Sequence, residues 1–230
     1  KDGELVLLVN YFGLCEEQII NQLKLFHKEK VIVDCSQAYF QSAFDCLATI
    51  YSPRKFLPTP DGGIMQSNIK FNIEKNDNYS SIQRYAYLLE RVIGEPEASR
   101  EKYLNSEKQL EKISTRGMSF FTQKIIEVTD LQFIKKQRKL NWEILNKLQP
   151  INKLKFEINN QIPLCYPLMI DNAVLLREKL IKNRIFTPLY WPHTQVTNNF
   201  EWKMINKTLY LPIDHRYSEV HMKLIIDLLN

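Results

Sequence analysis

The chain has 230 residues, 44% hydrophobic and 25% charged, with a formal net charge of +5. That balance excludes a disordered polyelectrolyte and fits a soluble globular protein with room for a large domain and a smaller one. No apolar stretch reaches the ~18 residues that span a bilayer, and no basic patch carries interleaved aromatics, so neither a membrane nor a nucleic-acid partner is expected.

Leu5 to Phe12 reads as a buried strand that ends at Gly13. Glu16 to Lys28 has helical spacing, with Ile19, Ile20, Leu23 and Phe26 on one face. Val31-Ile32-Val33 reads as a second buried strand, closing on Asp34. A short helix is expected near Ser42–Cys46, a third strand over Ala48–Tyr51, and a turn into a fourth strand over Gly62-Gly63-Ile64-Met65-Gln66. This alternation predicts an α/β fold with a mostly parallel sheet.

The pattern then turns helical. Ser80 to about Lys112 forms one helical block with a break at Gly94-Glu95-Pro96, followed by helices over Ser119–Val128 and Asp130–Leu148. Asp130 is the expected N-cap of the latter, and its basic run Lys135-Lys136-Gln137-Arg138-Lys139 reads as a solvated face. Pro150 ends the block. Strands are expected over Leu164–Ile170, Thr187–Tyr190 and Thr208–Leu211. Helices are expected over Asn172–Asn183, capped by Asp171, and over Ser218–Leu229, capped by Ser218. The expected organisation is a first domain over 1–150 and a small αβ domain over 151–230.

Several chemistries are excluded by spacing. The six glycines form neither GxGxxG nor a P-loop. The four histidines show no metal-ligand spacing, so no metal site is expected. Cys15, Cys35, Cys46 and Cys165 form no CxxC pair and read as the reduced thiols of a cytoplasmic protein. His215 and Arg216 follow a strand and could face a substrate, but read as a surface turn first.

One constellation carries chemistry. Asp34 closes a buried strand in Val33-Asp34-Cys35-Ser36-Gln37-Ala38, Ser52-Pro53-Arg54-Lys55 follows the next strand, and Asp61-Gly62-Gly63 makes a turn. Sites in parallel α/β sheets form beyond the carboxyl ends of strands, where Asp34 and the Ser52–Lys55 segment fall. The order Asp-x-x-Gln-Ala, Ser-x-x-Lys and Asp-Gly-Gly resembles the DegT-type nucleotide-sugar aminotransferases, pyridoxal-phosphate (PLP) enzymes of the aspartate-aminotransferase fold. Asn10-Tyr11-Phe12-Gly13, the stretch from Pro163 to Pro192 and Leu211-Pro212-Ile213-Asp214 are also similar to that family.

The resemblance implies a cofactor, PLP, held through a Schiff base on Lys55. A lysine needs a lowered pKa to present a neutral amine near neutral pH. Asp34 would keep the cofactor ring nitrogen protonated, because a nearby opposite charge favours the charged form. Ser52 would meet the phosphate, Gln37 the ring or its hydroxyl, and Arg54 could add phosphate charge. Residues 1–150 would then hold the second half of the PLP-binding domain and its helical connection. The implied reaction is transamination between an amino donor and a nucleotide-linked keto sugar in cell-surface polysaccharide synthesis, by a homodimer.

The sequence departs from the family in three ways. Its members carry earlier strands, a phosphate-binding loop and a ring-stacking aromatic before this point, so a processed or truncated start is expected. The stretch between Asp34 and Lys55 is short for the family. The partner-subunit asparagine motif is not recognisable near Arg116-Gly117-Met118-Ser119, where Arg116 or Ser119 could replace it. A non-catalytic interaction domain is therefore the alternative. Serine acyl transfer, which also uses Ser-x-x-Lys, lacks its Ser-Asp-Asn and Lys-Thr-Gly partners here.

Overall fold

A computed structural model describes residues 3–70, 72–73, 78–94, 99–110 and 116–229. It divides into two compact units, Lys1–Thr129 and Asp130–Asn230.

In the first unit, strands β1 (Val6–Val9), β2 (Val31–Cys35), β3 (Ala48–Tyr51) and β4 (Ile64–Ser67) form one sheet in that order. The pairs β1–β2 and β2–β3 are parallel and β3–β4 is antiparallel, giving the mostly parallel α/β sheet expected. Helix α1 (Glu16–Leu23) makes the crossover that a parallel β1–β2 pair requires. Val31, Val33 and Cys35 alternate along β2 and are fully buried, in a cluster with Ile19 of α1 and Tyr51 of β3.

β1 departs from the buried strand that its composition predicts. It lies at the sheet edge, and Leu5 and Leu7 are 57% and 61% exposed. Its extended stretch also stops at Val9, and Tyr11–Gly13 forms a 3-10 turn. The short helix expected near Ser42–Cys46 is absent. Hydrogen bonds hold this segment instead, with Leu47 N donating to Val31 O at 2.9 Å and Phe44 N to the Thr49 hydroxyl Oγ1 at 3.1 Å. α1 ends at Leu23, and a 3-10 turn at Lys28–Lys30 leads into β2.

Helices α2 (Asn78–Ile93), α3 (Arg100–Leu110) and α4 (Phe120–Val128) complete this unit. α2 stops at the residue before Gly94, while Glu95 and Pro96 of the expected break lie outside the described residues. Ser119 caps α4 by accepting from Thr122 N at 3.0 Å.

A buried carboxylate joins these helices to the turn after β3. Asp61, 8% exposed, accepts from Ser81 Oγ at 2.7 Å, Arg84 Nη2 at 2.5 Å and Thr122 Oγ1 at 2.6 Å. Ser81 Oγ also lies 2.8 Å from Ser119 Oγ. The next residue, Gly62, has φ +102°, and a Cβ there would come within 3.1 Å of Met118 and Thr122. The turn is thus held against α4 too closely for a side chain, in a conformation that glycine adopts readily.

The second unit contains α5 (Leu131–Leu145), β5 (Cys165–Met169), α6 (Ala173–Lys182), α7 (Asn199–Asn206), β6 (Thr208–Pro212) and α8 (Glu219–Leu229). β5 and β6 pair antiparallel, and Leu168, Leu209, Leu211, Ile213, Met222 and Ile225 are almost wholly buried. α5 packs on α8 and β5, so the helix read from sequence as part of 1–150 belongs spatially to the second unit.

Four local readings change. Arg138, read as part of a solvated face, is 1% exposed and donates to the carbonyls of Pro163 and Leu164. Asp171 does not cap α6; Asn172 occupies that position without a side-chain bond, and Asp171 pairs with Lys153 at 2.5 Å. Thr187–Tyr190 is not a strand, and Tyr190 packs edge-on against Tyr210. α7 was not foreseen; Asn198 starts it by accepting from Glu201 N at 2.9 Å. At α8, His221 Nδ1 accepts from Ser218 N at 3.1 Å, back-bonding as a glutamate does in a capping box.

The Asp61 cluster sets a stability prediction. Asp61→Ala strands the buried Arg84 guanidinium, and removing one partner of a buried pair costs about 3–5 kcal/mol. Urea unfolding of the intact protein should show that loss. A variant within 1 kcal/mol or so of wild type would show that the carboxylate does not anchor the helices.

Candidate functional site

The parallel register places the ends of β1, β2 and β3 side by side. Val9 pairs with Asp34, and Asp34 with Ile50, so Asp34 stands in the middle strand at the carboxyl edge. Asn10 N donates to Asp34 O at 2.9 Å, which keeps the first two strand ends together. Asn10 is fully buried, and its Oδ1 accepts from Cys15 N at 3.0 Å, fixing the chain as it enters α1.

Beyond β1 the backbone bends sharply. Phe12 has φ 58°, in the left-handed region that few non-glycine residues occupy. Its N–H donates to Gln37 Oε1 at 3.0 Å, and Gln37 is 9% exposed. Gln37, expected beside a ligand ring, thus has its side-chain carbonyl engaged in holding the β1 exit to the β2 exit.

Asp34 is half-buried. Its Oδ1 accepts from Ser36 N at 2.7 Å, a local turn that aspartate commonly makes. Ser36 Oγ in turn accepts from Lys55 Nζ at 3.3 Å. Lys55 reaches this point from a 3-10 turn over Pro53–Lys55, which the half-buried Ser52 precedes in extended conformation. Pro53 favours that turn because its ring fixes φ and it has no N–H to satisfy.

The Lys55 side chain is partly open to solvent, yet the protein around its amine decides its ionisation. Burial lowers its pKa below the ordinary lysine value, the negative charge of Asp34 acts in the opposite direction, and the positive charge of Arg54 adds to the lowering. The structure therefore brings Asp34, Ser36 and Lys55 into one electrostatic group. Sequence reasoning missed the part of Ser36. A serine after an aspartate is common in turns, and its link to Lys55 is a contact across 19 residues of chain.

Arg54 points elsewhere. Its guanidinium pairs with Glu107 of α3, so its expected contribution to phosphate binding gives way to an ion pair inside the helical layer. Asp61, read as a turn residue, is instead the buried anchor described above. His215 is partly enclosed against the Phe133 ring, and Arg216 forms a two-pronged pair with Asp214. Among the described residues, no group of three or more His, Cys, Asp or Glu side chains is arranged to hold a metal ion. Among those same residues, no helix is long and apolar enough to cross a membrane.

The donor set has a definite chemistry. It offers a carboxylate for a cation, an amine lowered toward neutrality for an electrophilic carbonyl, and hydroxyls for further polar contacts. These residue types fit PLP, whose ring nitrogen, aldehyde and phosphate make those demands.

No protein family's sequence profile matches the chain, and no curated protein matches it in sequence. Solved structures do match in fold. A DegT DnrJ EryC1 StrS aminotransferase from Brucella abortus aligns with TM-score 0.59 at 16% identity. Helicobacter pylori PseC, an aminotransferase involved in the biosynthesis of pseudoaminic acid, aligns at 0.60 and 13%. The PMP-form of Spr1654 from Streptococcus pneumoniae, a sugar aminotransferase by description, aligns at 0.61 and 11%. Each alignment covers 98% of this chain but only 63%, 66% and 68% of the respective neighbour. The chain thus has the α/β fold of these aminotransferases over roughly two thirds of their length.

The charge pattern around Lys55 predicts how its reactivity responds to substitution. In competitive acetylation across a pH series, Lys55 should become reactive at lower pH than exposed lysines. Asp34→Asn should move its profile further down, and Arg54→Met should move it up. A profile that coincides with those of surface lysines, or that rises in Asp34→Asn, contradicts the electrostatic grouping.

Proposed function

We propose that the chain carries the lysine side of a PLP-dependent aminotransferase, with Lys55 bonded to the cofactor and Asp34 facing its ring nitrogen. The observation that carries this reading is the Asp34–Ser36–Lys55 group at adjoining strand ends, in a chain with the aminotransferase fold. Bound there, PLP supplies an electron sink for bond breaking at the carbon next to the amino group.

This chain's residues do the rest. The lowered pKa of Lys55 favours a neutral amine, which can attack a carbonyl and then accept or return a proton at Nζ. The Asp34 carboxylate stabilises positive charge on the ring nitrogen. Ser52 offers a hydroxyl to the phosphate, and Gln37 fixes the backbone on which Asp34 stands. On this reading the first unit serves the cofactor and the second, which takes in α5, is the small domain of a cytoplasmic homodimer. The substrates are an amino donor and a nucleotide-linked keto sugar, a class supported by the sugar aminotransferases among the structural neighbours.

A second reading is a non-catalytic assembly domain. It draws on β1, whose edge position and exposed Leu5 and Leu7 are features of a strand that pairs with another chain. Cofactor labelling separates the two. The intact protein should take up PLP with a visible absorbance band, and borohydride should fix one pyridoxyl group on the Lys55 peptide. Lys55→Ala should lose the label, and amino transfer should fall by about 100- to 10,000-fold, the range for loss of a general acid–base group. A protein that stays colourless with PLP, or a label on another lysine, refutes the enzymatic reading.

A further inference from the structure

Ser36 stands between the two groups to which the proposed chemistry assigns roles. Its backbone N–H is held by Asp34 Oδ1 at 2.7 Å, and its hydroxyl accepts from Lys55 Nζ at 3.3 Å. The first contact fixes where the hydroxyl sits, because the turn it closes is short and local. The second uses that hydroxyl on a lysine whose long side chain has several rotatable bonds and much conformational freedom to lose.

The type of group matters. An ionised carboxylate accepts hydrogen bonds and cannot donate one, so Asp34 can take an N–H of the amine but cannot serve the lone pair of its neutral form. A hydroxyl both donates and accepts. Ser36 can therefore accept from the ammonium form of Lys55 and donate to the lone pair of the neutral form. In a proton-transferring lysine the amine alternates between these forms, and a partner with both capacities can meet its N–H groups in either form and its lone pair in the neutral one.

We propose that Ser36 is a positioning residue that keeps the Lys55 amine in place in both protonation states and couples it to Asp34. This inference rests on the reading of Lys55 as the cofactor lysine. It concerns where the amine is held, and Ser36 itself takes no part in bond making.

Two readouts on the intact protein test it. Without cofactor, acetylation of Lys55 across pH is compared in wild type, Ser36→Ala and Ser36→Thr. A bond from the charged ammonium is stronger than one made with the neutral amine, so losing the hydroxyl should move the Lys55 profile to lower pH, and threonine should restore it. With PLP and borohydride, pyridoxyl labelling of Lys55 should slow by about tenfold or more in Ser36→Ala and recover in Ser36→Thr, because misplacing a reacting group costs rate steeply. An unchanged acetylation profile and labelling rate in Ser36→Ala overturn the proposal. So does a Ser36→Thr protein that behaves like Ser36→Ala, since the loss would then not follow the hydroxyl. A shifted profile in a protein whose wild type takes no pyridoxyl label supports the tether and overturns the cofactor reading instead.

Discussion

The carboxylate of Asp61 is the constraint on which the arrangement of the first unit depends. It lies six residues past Lys55, between the turn that carries that lysine and the strand β4. Two side chains of α2 and one of α4 donate to it: Ser81, Arg84 and Thr122. A buried carboxylate is costly unless its lone pairs are satisfied, and here three donors converge on it. Geometry as well as energy follows. The helices are held to the segment that ends the lysine turn, and Arg54 reaches α3 through Glu107 from the same segment. Lys55 thus projects from a stretch fixed by the part-buried Arg54–Glu107 pair on one side and the buried Asp61 contacts on the other.

The other half of the site is held by backbone. Two parallel strand pairings would align β1, β2 and β3 in any such sheet, but the strand exits need their own restraints. Asn10 N to Asp34 O, and Phe12 N to Gln37 Oε1, join the exits of β1 and β2 directly. The left-handed Phe12 is the cost of that closure, a strained backbone position of the kind that accumulates near functional sites. Asp34 is then presented from a rigid edge, while Lys55 is presented from a turn. Ser36 joins the two, which is why its small side chain has more consequence than its position in a loop indicates.

Much of this was legible in the sequence, and the limits have physical causes. The apolar runs around Val33 and Ile50 and the turn residues between them marked the strands and their mostly parallel sheet, because buried parallel strands leave a strong local signal. Asp34 and Lys55 were found because the order Asp-x-x-Gln-Ala, Ser-x-x-Lys and Asp-Gly-Gly, set near strand ends, resembles the DegT-type aminotransferases. Ser36, Glu107 and Arg84 were not found, because their roles are contacts between residues far apart in the chain. Arg138 was misread for the same reason: a basic residue in a helix looks solvated until the carbonyls of Pro163 and Leu164 are brought to it. α7 was missed because its eight residues are too few to show a clear periodicity.

The two faces of the sheet differ in a way that bears on the ligand. Residues directly opposite one another share a face, so the row Val9, Asp34, Ile50, Met65 lies on one side, with Leu7 and Ile32 in the row before it. The other side holds Val31, Val33 and Cys35, closed by the core around Ile19. On the first side Leu7, Ile50 and Met65 remain 61%, 36% and 44% exposed. Asp34 is therefore the one charged member of an otherwise apolar row. Covering that row removes water from around the carboxylate, which strengthens its attraction for any nearby cation and raises the cost of leaving it unpaired. A flat ring with apolar faces and a protonated nitrogen satisfies both demands together. Burial disfavours the charged form of Lys55 as well, and the hydroxyl of Ser36, which accepts from its amine, can also donate to it.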